Sequence, residues 1–296
     1  MRVFVTGATG FIGSAIVKEL IDAGHQVLGL TRSDEGADAL IAAGAEVHRG
    51  TLEDLESLKS GAAACDGVIH TAFIHDFSKF QESCATDRLV INAIGSVLEG
   101  SNRPLIITSG TGMGIHAPGQ VASEDRVATA ETARHPRVAS EEGAADVAAK
   151  GVNVSIMRLP PSVHDKNDHG FVPRLIGIAK ETGKSGYIAN GANRWPAVHR
   201  LDAAHLYRLA LEKGEPRTYN AVGDFGVPTR EIAELIGKHL NLPVVSLSAD
   251  EAGAHFGWLA GFFSSDVPAS AQLTEERTGW KPTHLDLLAD IAQNYF

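Results

Sequence analysis

Short runs of β-branched and aliphatic residues alternate with longer amphipathic stretches over roughly the first 160 positions. The apolar runs are Val3–Val5, Val27–Leu30, Val68–Ile69, Leu105–Ile107 and Val152–Met157. Each is too short for a helix and too continuously apolar to lie half in water, which is how strands buried on both faces of a parallel sheet read. Between the first two, Ile12, Ala15, Ile16 and Leu20 recur at helical spacing, and Gly24 stands where a helix would end. This alternation predicts an α/β fold, a doubly wound parallel sheet with right-handed crossovers and helices on both faces.

Beyond about residue 160 the pattern loosens. Pro160-Pro161 interrupts the chain, Asp165–Gly170 is polar, and Gly183–Asn193 is glycine-rich with little periodicity. Helical spacing returns at Asp202–Lys213, Thr229–Leu240 and His284–Ala292, predicting a smaller, mostly helical C-terminal cap. The expected division is a first domain over 1–160 with a return segment at about 197–223, and a cap over 161–196 and 224–296.

With 296 residues, 44% hydrophobic and 21% charged, the chain has ordinary globular composition and a length of about two domains. Twenty-six basic against 36 acidic residues leave a formal charge of −10, without a basic patch, which argues against nucleic acid as a partner. Cys65 and Cys84 fall in segments that read as interior and fit a reducing, cytoplasmic compartment. No run of 18 apolar residues occurs, so no membrane span is expected. Met1-Arg2 leads directly into the first strand, which is read as leaving no room for a signal peptide.

Thr6-Gly7-Ala8-Thr9-Gly10-Phe11-Ile12-Gly13 joins the first strand to the first helix. In that setting Gly7 makes the tight turn, Gly10 admits a pyrophosphate to the backbone, and Gly13 lets the helix pack closely on the sheet. Unpaired N–H groups at the helix N-terminus then meet the phosphates, so a Rossmann dinucleotide site is expected. At the end of the second strand, where NAD sites usually carry Asp or Glu, the chain reads Leu30-Thr31-Arg32-Ser33. Arg32 can fork onto a 2′-phosphate and Ser33 can donate to it, which makes NADP(H) the preferred cofactor. NAD(H) is the alternative, should Asp34 or Glu35 bend back to a ribose hydroxyl.

From these residues onward the chain resembles the short-chain dehydrogenase/reductase superfamily, in its extended or atypical, epimerase/dehydratase-like branch, over essentially its whole length. Gly67-Val68-Ile69-His70-Thr71-Ala72-Phe73 is similar to the family segment that passes under the cofactor. Ile107-Thr108-Ser109-Gly110-Thr111 ends where the family carries its catalytic Ser or Thr. Arg158-Leu159-Pro160-Pro161-Ser162-Val163 resembles the family stretch whose backbone holds the nicotinamide carboxamide. Val198-His199-Arg200-Leu201-Asp202 looks like the family's strand-to-helix junction with Asp202 as N-cap, and Thr278-Gly279-Trp280-Lys281-Pro282 also matches. The resemblance implies a cofactor-binding set of Gly7, Thr9, Gly10, Phe11, Ile12, Gly13, Thr31, Arg32, Ser33, Leu52, Thr71, Ala72, Phe73, Ser109, Leu159, Pro160 and Val163.

The pattern departs from the family at its catalytic centre. No Tyr-x-x-x-Lys occurs, and Tyr187, Tyr207, Tyr219 and Tyr295 are read as lying beyond the helices of the central sheet. Aligning Glu141 with the family's acidic residue just after the Lys sets Ala133 at the Tyr position and Arg137 at the Lys position, and Asp87 falls near the family's Asn. Ser109 alone remains of the tetrad, as in atypical subgroups that keep the cofactor site and lack the catalytic residues.

Hydride transfer belongs to the cofactor; the protein must orient a substrate and handle a proton. The candidate catalytic set is Ser109 on a substrate carbonyl, Thr111 assisting, Arg137 as a clamp on the nicotinamide ribose, and His164 as proton carrier, with His116 as a second candidate for that role. His164-Asp165-Lys166-Asn167-Asp168-His169 holds metal-ligand types without a zinc spacing and is read as a polar loop, so no metal is expected. Phe73, Phe77, Phe171, Trp195, Phe256, Trp258, Phe262 and Phe263 are candidates to line an apolar pocket for a bulky or aromatic substrate. The leading expectation is an NADP(H)-dependent oxidoreductase acting on a small carbonyl or unsaturated compound through a substrate-binding cap. A sugar-nucleotide epimerase or dehydratase and a non-catalytic NADP-binding sensor are the alternatives. Family relatives often pair through helices like those near Phe80–Glu99 and Glu131–Lys150, which leaves monomer and homodimer both open.

Overall fold

The apolar runs form the centre of a seven-stranded parallel sheet in a computed structural model that describes residues 1–115, 117, 119–127 and 135–296. Its strands are β1 (Arg2–Thr6), β2 (Gln26–Thr31), β3 (Glu46–Arg49), β4 (Gly67–His70), β5 (Leu105–Gly110) and β6 (Val154–Leu159), with β10 (Thr218–Asn220) at the far edge. Val3, Phe4, Val5, Val68, Ile69 and Leu105–Ile107 are fully enclosed, because helices cover both faces. Two strands carry no apolar run. β3 is an edge strand, partly or fully open along Glu46-Val47-His48-Arg49, and β10 is only three residues long. β6 begins at Val154 rather than Val152.

The strand order is β10-β6-β5-β4-β1-β2-β3, so the winding reverses between β1 and β4. Open sheets of this kind bind ligands in the crevice at the C-terminal ends of the strands beside that reversal. β1 delivers Gly7 there, and β4 delivers Thr71.

On one face lie α3 (Leu55–Ala63), α4 (Phe80–Ser96) and α5 (Val138–Ala148), which bury Leu58, Val90, Ile91, Ile94 and Val147 against Phe4, Val68, Leu105 and Ile107. On the other, α1 (Phe11–Asp22) and α7 (Arg200–Lys213) pack together, with Ile16, Leu20, Leu206, Tyr207 and Leu211 meeting Val3, Val5, Ile69 and Ile106. Fully burying each such aliphatic side chain is worth about 1.5–3 kcal/mol. α2 (Asp34–Ala42) links β2 to β3.

The remaining elements enclose a second core. β7 (Ser162–His164), β9 (Arg194–His199) and β11 (Asp224–Pro228) form a sheet in the order β11-β9-β7, and β8 (Ser185–Ile188) pairs in parallel with β12 (Val244–Leu247). α6 (Phe171–Thr182), α8 (Thr229–Leu240), α9 (Ala249–Phe256), α10 (Ala260–Phe263) and α12 (Leu287–Asn294) contribute to a core that includes Trp195, Ile232, Ile236, Leu259 and Phe263. α11 (Gln272–Thr278) lies by α7 and β10. This half is therefore less helical than its sequence predicts, and β8 arises inside the glycine-rich stretch. A Cβ at Gly186 would come within 2.7 Å of Leu247, so the missing side chain is what lets β8 lie against its neighbour. α12 starts at Leu287 because Asp286 caps it, accepting from the Ala289 amide at 2.8 Å, which leaves His284 outside the helix.

Cys65 and Cys84 are buried and unpaired with each other, and burial pushes both thiols up, Cys84 to about 11. Among the described residues no helix is long and apolar enough to cross a membrane.

Candidate functional site

Where β1 ends, Gly7 turns the chain at φ +68°, and a Cβ there would stand 2.8 Å from the Ala72 amide nitrogen. Gly13 lies in the first turn of α1, where a Cβ would sit 1.9 Å from the Gly7 carbonyl oxygen. The helix can press on the turn only because that carbon is missing. Thr9 and Gly10 are exposed at the lip, and Phe11 and Ile12 are partly open. Thr71 Oγ1 donates to the Thr6 carbonyl at 2.8 Å, and the Ala72 amide donates to Thr6 Oγ1 at 3.3 Å, tying the exit of β4 to the turn. Arg200 lays its guanidinium 4.7 Å from the Phe11 ring centroid. A cradle without side chains, opening onto a helix N-terminus, suits a dinucleotide diphosphate.

At the end of β2, Thr31 is buried while Arg32 and Ser33 are exposed. Ser33 caps α2, its hydroxyl accepting from the Gly36 amide at 3.1 Å. Arg49, at the end of β3, donates to the Ser33 carbonyl at 2.5 Å and to Asp34 Oδ1 at 2.6 Å. Asp34 is thus engaged by Arg49, whose guanidinium also reaches the carbonyl of Ser33, the residue after Arg32. Arg49 had no sequence signal because β3 itself had none. Leu52 follows β3 and packs against the core beneath α3 and α4.

At the other end of the crevice, Ser109 turns towards α5 and donates to Glu141 Oε1 at 2.9 Å. Arg158 on β6 grips the same carboxylate, Nε at 2.8 Å and Nη2 at 2.7 Å. Ser109, Glu141 and Arg158 are 3%, 6% and 1% exposed. Ser109 is thus turned to Glu141: a buried carboxylate needs every partner it can reach, and the hydroxyl is one of them. Thr111 lies in the 3₁₀ turn Thr111–Gly114; among the described residues its Oγ1 is buried without a partner, as is Ser162 Oγ in β7. Gly110 pairs with Leu159, which brings these two segments side by side, with Leu159, Pro160 and Val163 running from β6 into β7. Two tyrosines also lie closer to the sheet than expected. Tyr219 is in β10, and Tyr207 packs under β5 with its hydroxyl 2.6 Å from Thr108 Oγ1. Tyr207 is fully enclosed, and burial pushes its pKa far above the ordinary range, so it is no substitute acid.

Arg137 stands just before α5 with its guanidinium 4.3 Å over the Phe73 ring. It donates to Asp87 Oδ2 at 2.8 Å, to Ser140 Oγ, and to the Thr108 carbonyl at 2.8 Å. Asp87, in α4, also meets His70 Nε2 at 3.0 Å, and His70 Nδ1 is 2.6 Å from Thr6 Oγ1. Burial alone would raise the Asp87 pKa; His70, Arg137 and Ser140 outweigh it and bring it to about 2. A chain of contacts from Thr6 through His70 and Asp87 thus sets Arg137 in place. Ala133 and His116 lie outside the described residues.

His164, the candidate proton carrier, lies inside the protein. It is fully buried, with Nδ1 2.7 Å from Asp290 Oδ2 of α12, because the pleat of β7 turns Ser162 and His164 inward. Two groups nearby bring their ligand atoms within 4.8 Å of one another, His199–Asp202–His284 and Asp165–His199–Asp290. Their carboxylates are already engaged: Asp202 by the Thr283 and His284 amides at 3.1 Å, Asp165 by Arg200 at 2.8 Å, and Asp290 by His164 and Asn294. The cluster fastens the C-terminal segment to β7 and α7. His199, not Asp202, caps α7, its Nδ1 accepting from the Leu201 amide at 3.2 Å.

Above the crevice, Phe77 stacks on Trp258 at 4.4 Å and 16° and meets Phe80, Phe171 and Phe262 at 5.8, 6.2 and 5.9 Å. These rings join the loop between β4 and α4 to the second core. Of the aromatic candidates, Trp195, Phe256 and Phe263 are core, whereas Phe73, Phe77, Phe171, Trp258 and Phe262 keep open surface. Three histidines rim the rings: His75 beside Phe73 at 5.2 Å, His135 beside Phe80 at 5.9 Å, and His169 beside Phe11 at 5.7 Å. Burial of the inner side, then the charge of Arg137, holds His75 and His135 below the usual histidine range. Neither had been a sequence candidate. The rule that ligands meet the loops after strand ends points to the β4 loop as readily as to the others.

A family model described as the NAD dependent epimerase/dehydratase family matches residues 3–222. An uncharacterized protein of Schizosaccharomyces pombe is 53% identical over 297 residues, across 100% of both chains. UDP-glucose 4-epimerase of Streptomyces lividans is 25% identical over 325 residues, spanning 97% of this chain and 93% of that one. Among solved structures, a nucleoside-diphosphate-sugar epimerase from Pseudomonas aeruginosa shares the fold at a TM-score of 0.79 and 18% identity, covering 100% of this chain and 96% of that one. With the glycine cradle and the parallel sheet, these matches lead to one statement: the chain belongs to the NAD dependent epimerase/dehydratase family.

Proposed function

We propose that this protein is an NADP(H)-dependent oxidoreductase that transfers hydride to or from a small carbonyl or unsaturated compound. The observation that carries the reading is the pair Arg32 and Arg49 at the ribose end of the glycine cradle, with Asp34 bound to Arg49. Arg32 and the Ser33 hydroxyl suit a 2′-phosphate, with Arg49 beside them holding Asp34 Oδ1. When bound, the nicotinamide supplies the hydride. Arg137, over Phe73, suits ribose hydroxyls; its guanidinium stays protonated and so orients without delivering a proton. The unpartnered hydroxyls of Thr111 and Ser162 suit a carboxamide or a substrate oxygen. The ring cluster excludes water and favours an apolar substrate over a polar one.

Thermal shifts with NADPH and NADH, followed by NADPH consumption over ketones, aldehydes and enones, test the reading. NADPH at about a hundredfold excess over Kd should stabilise the fold by about 2.7 kcal/mol, and at least one carbonyl class should oxidise it. Arg32→Ala should weaken NADPH binding about tenfold or more, at a cost of about 1.4 kcal/mol, and NADH binding little; equal losses reject the role. A sugar-nucleotide epimerase or dehydratase is the second reading, favoured by the family model and the named relatives. Conversion of a nucleotide sugar without net NADPH consumption would establish it instead. Binding with no turnover in either assay would identify a sensor.

A further inference from the structure

Resting on the reductase reading, we propose that His75 is the proton donor of this enzyme, serving the oxygen of an apolar alkyl or aryl aldehyde or ketone held against the Phe77–Trp258 rings. His75 lies on the segment that runs from Thr71–Phe73 to α4. Its ring meets Phe73, whose face carries Arg137 at 4.3 Å, edge to face at 5.2 Å, and it lies 6.4 Å from Phe77, which is stacked on Trp258. The imidazole therefore neighbours both the ring that carries the guanidinium assigned to the ribose and the ring stacked on Trp258, and it is exposed where His164 is sealed. Among the described residues, the charged and titratable groups that act on it are Arg137 from the start of α5 and His169 from the loop before α6. Asp76, next in the chain, turns its carboxylate to the Ser78 amide and hydroxyl at 3.0 and 2.6 Å. His135 is a rival among the described residues; its Nδ1 accepts from the Arg137 amide at 3.3 Å and its ring touches Phe80 rather than Phe73.

In reduction the carbonyl carbon accepts the hydride, the C=O π pair moves to oxygen, and the ring N–H of protonated His75 supplies the proton. The products are the alcohol, the oxidised nicotinamide and neutral His75, which regains its proton from water at its exposed edge. Burial and the Arg137 charge favour the neutral ring, so the protonated ring is the stronger acid. Reduction therefore slows as pH rises through that lowered value, and alcohol oxidation, which needs the neutral ring, slows as pH falls through it.

His75→Gln tests the assignment, with His75→Asn as a smaller replacement should the first not fold. The variant should keep the NADPH thermal shift of the parent, lose about 100-fold or more in the rate of reduction, and lose the titrating limb of the pH profile. His135→Gln should keep that limb. Imidazole NMR of the ligand-free parent should show His75 titrating below the usual histidine value, and Arg137→Gln should move it upward. A His75→Gln enzyme that keeps both rate and limb overturns the proposal, as does loss of the limb in His135→Gln, or a His75 titration that is ordinary in both the parent and Arg137→Gln. A parent that binds NADPH and reduces no carbonyl defeats the reductase reading itself, and the donor role with it.

Discussion

The two ends of the crevice are built by different means. At the diphosphate end the shape comes from side chains that are absent, within the eight residues Thr6–Gly13, and the tightest clearance is the 1.9 Å that a Gly13 Cβ would leave. At the other end the shape comes from side chains that are present and arrive from five elements: His70 on β4, Asp87 on α4, Ser109 on β5, Glu141 on α5 and Arg158 on β6. Glycine geometry has no substitute, so the cradle stays recognisable. A side-chain constellation depends on partners distant in sequence: β5 pairs with β6 while Ser109 is drawn into a buried clamp. Proton chemistry is then free to move to a neighbouring loop.

Four experiments would break or sharpen that contrast. The largest effect is expected at the side-chain end, where Glu141→Ala would leave Arg158 buried and unpaired. Urea unfolding should register a loss of about 3–5 kcal/mol, and Glu141→Leu combined with Arg158→Met should recover most of it. At the cradle, Gly13→Ala should cost about 1–3 kcal/mol and abolish the NADPH thermal shift; retained binding would undo the argument from missing side chains. Asp87 comes next. Its folded pKa of about 2 lies below the ordinary 3.8, so its stabilisation is complete above the ordinary value and disappears as pH falls towards the lower one. Denaturation of the parent and Asp87→Asn over that acid range should reveal a contribution of roughly 2 kcal/mol. Ser109→Ala should do least, costing about 0.5–1.5 kcal/mol and leaving turnover within about twofold. A hundredfold loss would return Ser109 to substrate contact.

What could be read from the chain follows the same division. Strands enclosed on both faces advertise themselves as apolar runs, and a strand–glycine–helix turn carries its geometry in consecutive residues. β3 and Arg49 were silent because an edge strand needs no apolar signature. The fate of Ser109 depends on Glu141, 32 positions away, and on Arg158, contacts that no local spacing encodes. His164 had a suitable residue type, but the inward pleat of β7 decided its surroundings. His75 sits in a short irregular loop, where only the packing of Phe73, Phe77 and Arg137 gives it meaning.

The three tryptophans occupy sharply different environments. Trp195 and Trp280 are each 1% exposed, while Trp258, whose ring rests on Phe77, is 47% exposed. A collisional quencher such as acrylamide will therefore reach one indole, and the emission it extinguishes comes from the ring stacked on Phe77.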